Sequence, residues 1–330
     1  MSRTLAPHID HLKIRAFSLL AGGLLLFCGP RASTAQAWTM PKGEAYVKLF
    51  YSKTDAARQY TFYGRTTDFI DGLEGNTFRD RSLYLYAEVG LSDNLSMTLS
   101  LPYKRLFIRD QSFRFRTFAV GTVSLGVRIA LLPLFGRTAS RNAAALNFTV
   151  GVPAGYTRNY APSAGSGQVD VEALISVGHS FWPFPAYAQA GAGYRYRSSM
   201  YAFSDAVKCQ PGRDVSCITD ARPSFGDEWV YRIEAGLTPF GGGLLVQALA
   251  GGAWSLHLPT TGFSAVNPIP TRQRFLKVGG GLAIYPFRIA GMKHLARFGL
   301  NVQYFVTPTG RNTLASRDLF VGVEFRSSIF

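Results

Sequence analysis

GSGQVDVEALISVGHSFWPFPAYAQAGAGYRYRS, residues 165–198, holds two long alternating runs separated by Trp182-Pro183-Phe184-Pro185. In the first run Val169, Val171, Ala173, Ile175 and Val177 are apolar, whereas Asp170, Glu172, Ser176 and Gly178 between them are polar or tiny. In the second, Ala186, Ala188, Ala190, Ala192 and Tyr194 alternate with Gln189, Gly191, Gly193, Arg195 and Arg197. A period of two puts each set on its own face of a strand. Soluble strands average about five or six residues, whereas about ten alternating residues ending in aromatics match a tilted strand that crosses a bilayer. The stretch predicts a β-hairpin with one lipid face and one polar face.

The rest of the chain repeats this unit. Twelve alternating segments fall at 44–53, 80–91, 95–106, 117–132, 143–153, 168–182, 186–198, 228–238, 244–256, 273–286, 297–307 and 316–330. Short connections such as 92–94, 182–185 and 238–243 interleave with long polar ones at 54–79, 107–116, 154–167, 199–227, 257–272 and 308–315. This asymmetry predicts an all-β fold, a transmembrane antiparallel β-barrel of about twelve strands of outer-membrane type, with short periplasmic turns and long outside loops. Two connections on the short side, 133–142 and 287–296, are longer than that grammar requires. Tyr46, Tyr51, Tyr103, Trp182, Trp229, Trp254, Tyr285 and Phe330 stand at segment ends, where interfacial girdles form. Leu319, Val321, Val323 and Phe325 set a phase that Phe330 does not continue, which predicts a bulge or an overrun within 326–329.

Residues 1–37 read as a secretory signal peptide: Arg3, Lys13 and Arg15 precede an apolar run over 16–28, and Ala35-Gln36-Ala37 makes a small-x-small cleavage site before Trp38. That run is shorter than the ~20 residues of a spanning helix, and Phe27 before Cys28 argues against lipoprotein processing. The barrel domain is then 38–330. The net charge of +15 falls to +12 without the leader, and the Lys and Arg residues are spread over loops and alternating faces rather than clustered as a nucleic-acid footprint. Cys209 and Cys217 remain in one loop of an exported chain, which predicts a disulfide.

The polar faces carry the functional signal. Lys48, Lys104, Arg128, Arg195, Arg197, Arg232, Lys277 and Arg326 are assigned inward, with Glu88, Asp170, Glu172, Glu234 and Glu324 as acidic counterparts and Tyr84, Tyr86, Phe275 and Tyr285 as aromatic surface. These charges either pair across the lumen and plug it or line a pore. His179 and Ser180 are the one pair resembling a base and a nucleophile, but adjacent strand residues point to opposite faces. No His/Cys spacing suits a metal, and Asp68, Asp71, Glu74 and Asp80 lack an EF-hand pattern and read as a solvated acidic loop. Gly241-Gly242-Gly243 and Gly279-Gly280-Gly281 are turn or strand glycines with no helix behind them, so no cofactor is expected.

The runs 145–155 (ALNFTVGVPAG), 165–197 and 229–237, with Leu85-Tyr86-Ala87-Glu88-Val89-Gly90-Leu91-Ser92-Asp93, resemble the outer-membrane transporter family named for the meta-pathway of phenol degradation. In that family a strand ending in Pro-x-Gly is followed by Gly-x-Gly-Gln, an acidic strand and a Gly-Tyr-Arg-Tyr-Arg segment; here Pro153-Ala154-Gly155 replaces the commoner Pro-Thr-Gly. The resemblance implies passive uptake of small, aromatic or apolar compounds across the outer membrane of a Gram-negative bacterium, and the basic lumen suggests anionic ones. A non-conducting structural or adhesive barrel is the alternative, and an outer-membrane lipid hydrolase a lesser one. The terminal Phe330 resembles the signal read by the barrel-assembly machinery; the other expected partners are outer-membrane lipid, lipopolysaccharide and the solute.

Overall fold

The computed structural model describes residues 36–69, 77–109, 114–136, 141–204, 217, 225–256, 272–292 and 295–328. Its strands are β1 (Glu44–Ala56), β2 (Arg58–Tyr60), β3 (Thr66–Asp68), β4 (Thr77–Ser92), β5 (Leu95–Arg109), β6 (Arg114–Val120), β7 (Thr122–Ala130), β8 (Asn142–Pro153), β9 (Asp170–Ser180), β10 (Ala186–Arg197), β11 (Glu228–Leu237), β12 (Leu244–Ser255), β13 (Arg274–Ile284), β14 (Phe298–Arg311), β15 (Thr313–Leu314) and β16 (Arg317–Ser328). β6 and β7 lie end to end on β5 and form one wall strand broken at Gly121. With β2, β3 and β15 set apart as a small sheet, the wall is a closed twelve-stranded antiparallel barrel.

β1 is the seam, pairing with β16 from Glu44↔Ser328 to Asp55↔Arg317 and with β4 from Ala45↔Val89 to Ala56↔Phe78. Closure matters because each unpaired backbone group in hydrocarbon costs several kcal/mol. The irregularity expected within 326–329 is not present as far as Ser328, because β16 holds one register against β1 to that residue. Phe330 lies outside the described residues.

The exterior is apolar: Leu83, Ile175, Val177, Ile233, Leu300 and Val323 are all exposed. Tyr51, Tyr103, Trp229 and Trp254 are exposed with them. Tyr46 and Tyr285 are corrected from the girdle to the interior: both are buried and both donate their hydroxyls to Glu324. Their phase placed them inward, and a carboxylate in the lumen supplies the acceptor that a buried phenol requires. The two over-long connections on the short side each begin with a helical turn, Leu132–Phe135 and Pro286–Ile289. In the second, Arg288 reaches across to the carbonyl of Gly242 at 3.1 Å and ties two turns together.

At the long-loop end the strands outrun the apolar band. β2, β3 and β15 pair there, with Thr313↔Tyr60 and Arg58↔Asp68 in register. Beneath them lies an apolar core of Ala56, Phe69, Phe78, Leu106, Ile108, Phe115, Tyr156 and Ala164, inside the barrel mouth rather than on lipid.

Candidate solute pathway in the barrel lumen

Glu172 on β9, Arg195 on β10 and Glu228 on β11 stand side by side in register, and Arg232, further along β11 opposite Gly191, reaches back to the same carboxylate as Arg195, that of Glu172. Arg195 donates Nε and Nη2 to Glu172 Oε2 at 3.0 and 2.7 Å and Nη1 to Glu228 Oε2 at 2.8 Å. Arg232 Nη2 donates to the other Glu172 oxygen at 3.0 Å. Arg197 continues the cluster toward the mouth, 3.5 Å from Glu228 and 3.6 Å from Asp170, with its guanidinium over the Phe225 ring.

The remaining inward charges also have partners. Arg128 donates to Glu88 at 2.7 Å and Lys104 to Asp80 at 2.9 Å, with Tyr84 a second acceptor for Lys104. Tyr86 donates to Glu88 at 3.0 Å. Lys277 meets Asp318 at 2.5 Å. Glu234 accepts from Tyr187, Gln189 and Gln247. Lys48 lies over the Phe50 ring, and Arg326 over that of Tyr46.

Asp80, Glu228 and Asp318 are therefore lumen acids that the sequence reading left out, and Asp80 is corrected from a solvated loop to a buried ion pair. Each stands in phase with inward residues of its own strand, so the alternation contained them. Their addition balances the inward charge. The balance is not even in depth, however. The Arg232 and Lys277 side chains are 45% and 38% exposed, whereas their partners Glu172 and Asp318 are 11% and 1% exposed. The carboxylates lie underneath, and the cations face the open space.

That space has two compartments of different character, each a cavity of ≈ 380 Å³. One is walled by Leu249, Phe275, Phe305 and Phe320, with Lys277 and Asp318. The other is hydroxyl-lined, by Thr98, Ser100, Thr122, Ser124 and Thr149. Arg195 and Arg232 border both, so the guanidinium cluster stands at the junction.

Chain from the N-terminal side also enters the lumen. Arg128 Nη1 donates to the Trp38 carbonyl at 2.9 Å, and the Met40 N–H donates to Ser96 at 2.7 Å. The Trp38 ring meets Tyr187 edge-on at 6.2 Å and lies over Gly178 so closely that a Cβ there would collide with it. Alternation carries no information about this segment, which has no strand of its own.

At the other end the loop 154–168 folds into the mouth. Gly167 has φ +85, and a Cβ on it would press on Arg158. Its N–H donates to Tyr156 Oη at 3.0 Å, and Gln168 behind it is fully buried and donates to Asp170 at 2.8 Å. Burial pushes the Tyr156 phenol above its ordinary pKa. Gly165-Ser166-Gly167-Gln168 is thus the turn that directs this loop inward. Cys217 is disulfide-bonded and bridges to Tyr160 of the same loop; Cys209 lies outside the described residues, as do Asp71 and Glu74.

His179 bonds Asn142 at 2.7 Å and packs edge-on against Phe181. Among the described residues no group of three or more His, Cys, Asp or Glu is placed to hold a metal.

No protein-family model matches the chain, and no curated protein matches it. Solved structures do. The COG4313 outer membrane channel from Pseudomonas putida F1 superposes with a TM-score of 0.62 at 12% identity, covering 90% of this chain and 100% of that one. The NanC porin gives a TM-score of 0.47 at 7% identity over 84% of this chain and 98% of its own, and the KdgM porin 0.44 at 4% over the same shares. The first likeness shows the outer-membrane barrel fold.

Proposed function

We propose that this barrel is a bacterial outer-membrane channel for passive uptake of small amphipathic or aromatic anions, with the short turns in the periplasm. The observation that carries the reading is the junction of an aromatic compartment and a hydroxyl-lined one at Arg195 and Arg232, whose carboxylate partners are the more deeply buried members of their pairs. A solute with an apolar body and one negative charge meets both chemistries there. The fold shared with an outer-membrane channel and the resemblance to the phenol meta-pathway family support the same reading. The N-terminal segment and the infolded loop narrow the lumen from both ends, which favours a selective pore over a wide diffusion channel.

Liposome-swelling rates test this. Benzoate should enter vesicles containing the barrel faster than a neutral sugar of similar size, and Phe305→Ala with Phe320→Ala should narrow that difference. Equal rates for benzoate and the sugar would contradict the proposal.

A further inference from the structure

The exterior holds a second organised charge cluster, away from the lumen. Along β5 the outward positions run Leu99, Leu101, Tyr103, Arg105, Phe107 and Arg109. Neighbouring strands change in the same sense, from Leu85 and Leu83 to Arg81 and Arg79 on β4, and from Phe118 to Arg116 and Arg114 on β6. Register sets these side by side. Phe107 stands between Arg79 and Arg116, Arg105 opposite Phe118, and Arg109 opposite Arg114.

The guanidinium of Arg105 lies 5.0 Å from the Phe107 ring and 5.3 Å from that of Phe118, and Arg116 lies 5.9 Å from Phe107. Such stacking holds the guanidiniums flat against the wall with their N–H edges free. Arg79, Arg105, Arg109, Arg114 and Arg116 are all exposed, and none has an ion pair among the described residues. The carboxylate in register with Arg79 is Asp55, which instead contacts Arg81 at 2.5 Å and Lys53 at 3.9 Å. On the far wall the long-loop ends of β10–β12 present Tyr194, Tyr196, Trp229 and Trp254 outward, an aromatic girdle without such a cluster.

Five like charges on one face repel each other, and a bound polyanion relieves that repulsion more fully than salt does. Their position selects the polyanion, because they begin one outward residue beyond the Tyr103 girdle and directly above the apolar band of Leu83, Leu101 and Leu125. A ligand there has its acyl chains in the band and its phosphates among the guanidiniums, which take phosphate oxygens two at a time. We propose that the outer face of β4–β6 is a binding site for the phosphorylated headgroup of an outer-leaflet glycolipid of the lipid A type. The site rests on the orientation given above but not on conduction, so its test is separate from the uptake assay.

The test is native mass spectrometry of the detergent-purified barrel with hexa-acyl lipid A carrying both glucosamine phosphates, and with its dephosphorylated form. Wild type should retain the bisphosphorylated lipid at least tenfold more tightly than the dephosphorylated one. Arg79→Gln/Arg105→Gln/Arg116→Gln should remove that preference, and Arg274→Gln on the far wall should leave it. A photoreactive phenylalanine analogue at position 118 keeps the placement testable should the triple variant fail to fold, and it should cross-link to lipid A. Equal retention of the two lipids by wild type, an unchanged preference in the triple variant, or cross-linking from position 118 to phospholipid alone would overturn the proposal.

Discussion

Arg232 Nη2 sits 3.0 Å from Glu172 Oε1, and of the two the guanidinium is the one open to the lumen. Because Glu172 also holds Arg195, one carboxylate restrains two of the cations at the compartment junction. Glu172→Gln should therefore raise benzoate uptake severalfold while the barrel still folds, since Arg195 keeps Glu228. Uptake unchanged or reduced in this variant would mean that the junction does not set the rate.

The Glu88–Arg128 pair behaves differently, because both side chains are almost fully enclosed, at 1% and 6% exposed. Removing one partner of a buried pair strands the other charge and costs about 3–5 kcal/mol, whereas an apolar replacement of both is close to neutral. Glu88→Ala should lower the unfolding free energy of the reconstituted barrel, read from urea titration, by that amount with a matching fall in midpoint, and Glu88→Leu with Arg128→Met should recover most of it. Equal midpoints for wild type and Glu88→Ala would contradict the assignment.

Trp38 and Gly178 provide a test of the luminal segment. Gly178→Val introduces a side chain where the indole lies, so the segment has to leave its place. Single-channel conductance should rise relative to wild type, and Trp38→Gly should raise it in the same direction. A fall in conductance in both variants would show that the segment does not obstruct the pore.

The disulfide at Cys217 is proposed to involve Cys209. Alkylation of the purified mature protein should label neither cysteine before reduction and both after it. Closing so short a loop contributes on the order of 2–3 kcal/mol at most, so Cys209→Ser/Cys217→Ser should still give a folded barrel with a heat-modifiable gel mobility. Labelling of either thiol without reduction would exclude the pairing.

The wall was legible in the sequence because a lipid face and a water face enforce strict alternation: each of the twelve segments overlaps a wall strand. The same alternation assigned Glu172, Arg195 and Arg232 to one side. It set Tyr285 inward, where the structure has it, but the position of Tyr46 and Tyr285 at segment ends also put them in the girdle, and alternation does not reveal Glu324 as their shared acceptor. Strand ends were the weakest point. β4 begins at Thr77, so Asp80 lies within the strand and inside the barrel rather than in a loop. What enters the lumen from elsewhere, residues 38–40 and the loop 154–168, follows tertiary contacts that no local period encodes.

The proposed lumen passes small anions past cations that lie above their carboxylate partners. The most direct measurement of this is the reversal potential of single barrels in planar bilayers under a potassium chloride gradient, for wild type and for Arg232→Ala/Lys277→Ala. Wild type should show a potential displaced toward the chloride equilibrium value, and the double variant should move it toward zero or beyond. A wild-type potential on the potassium side, or the absence of conductance in both proteins, would contradict the account.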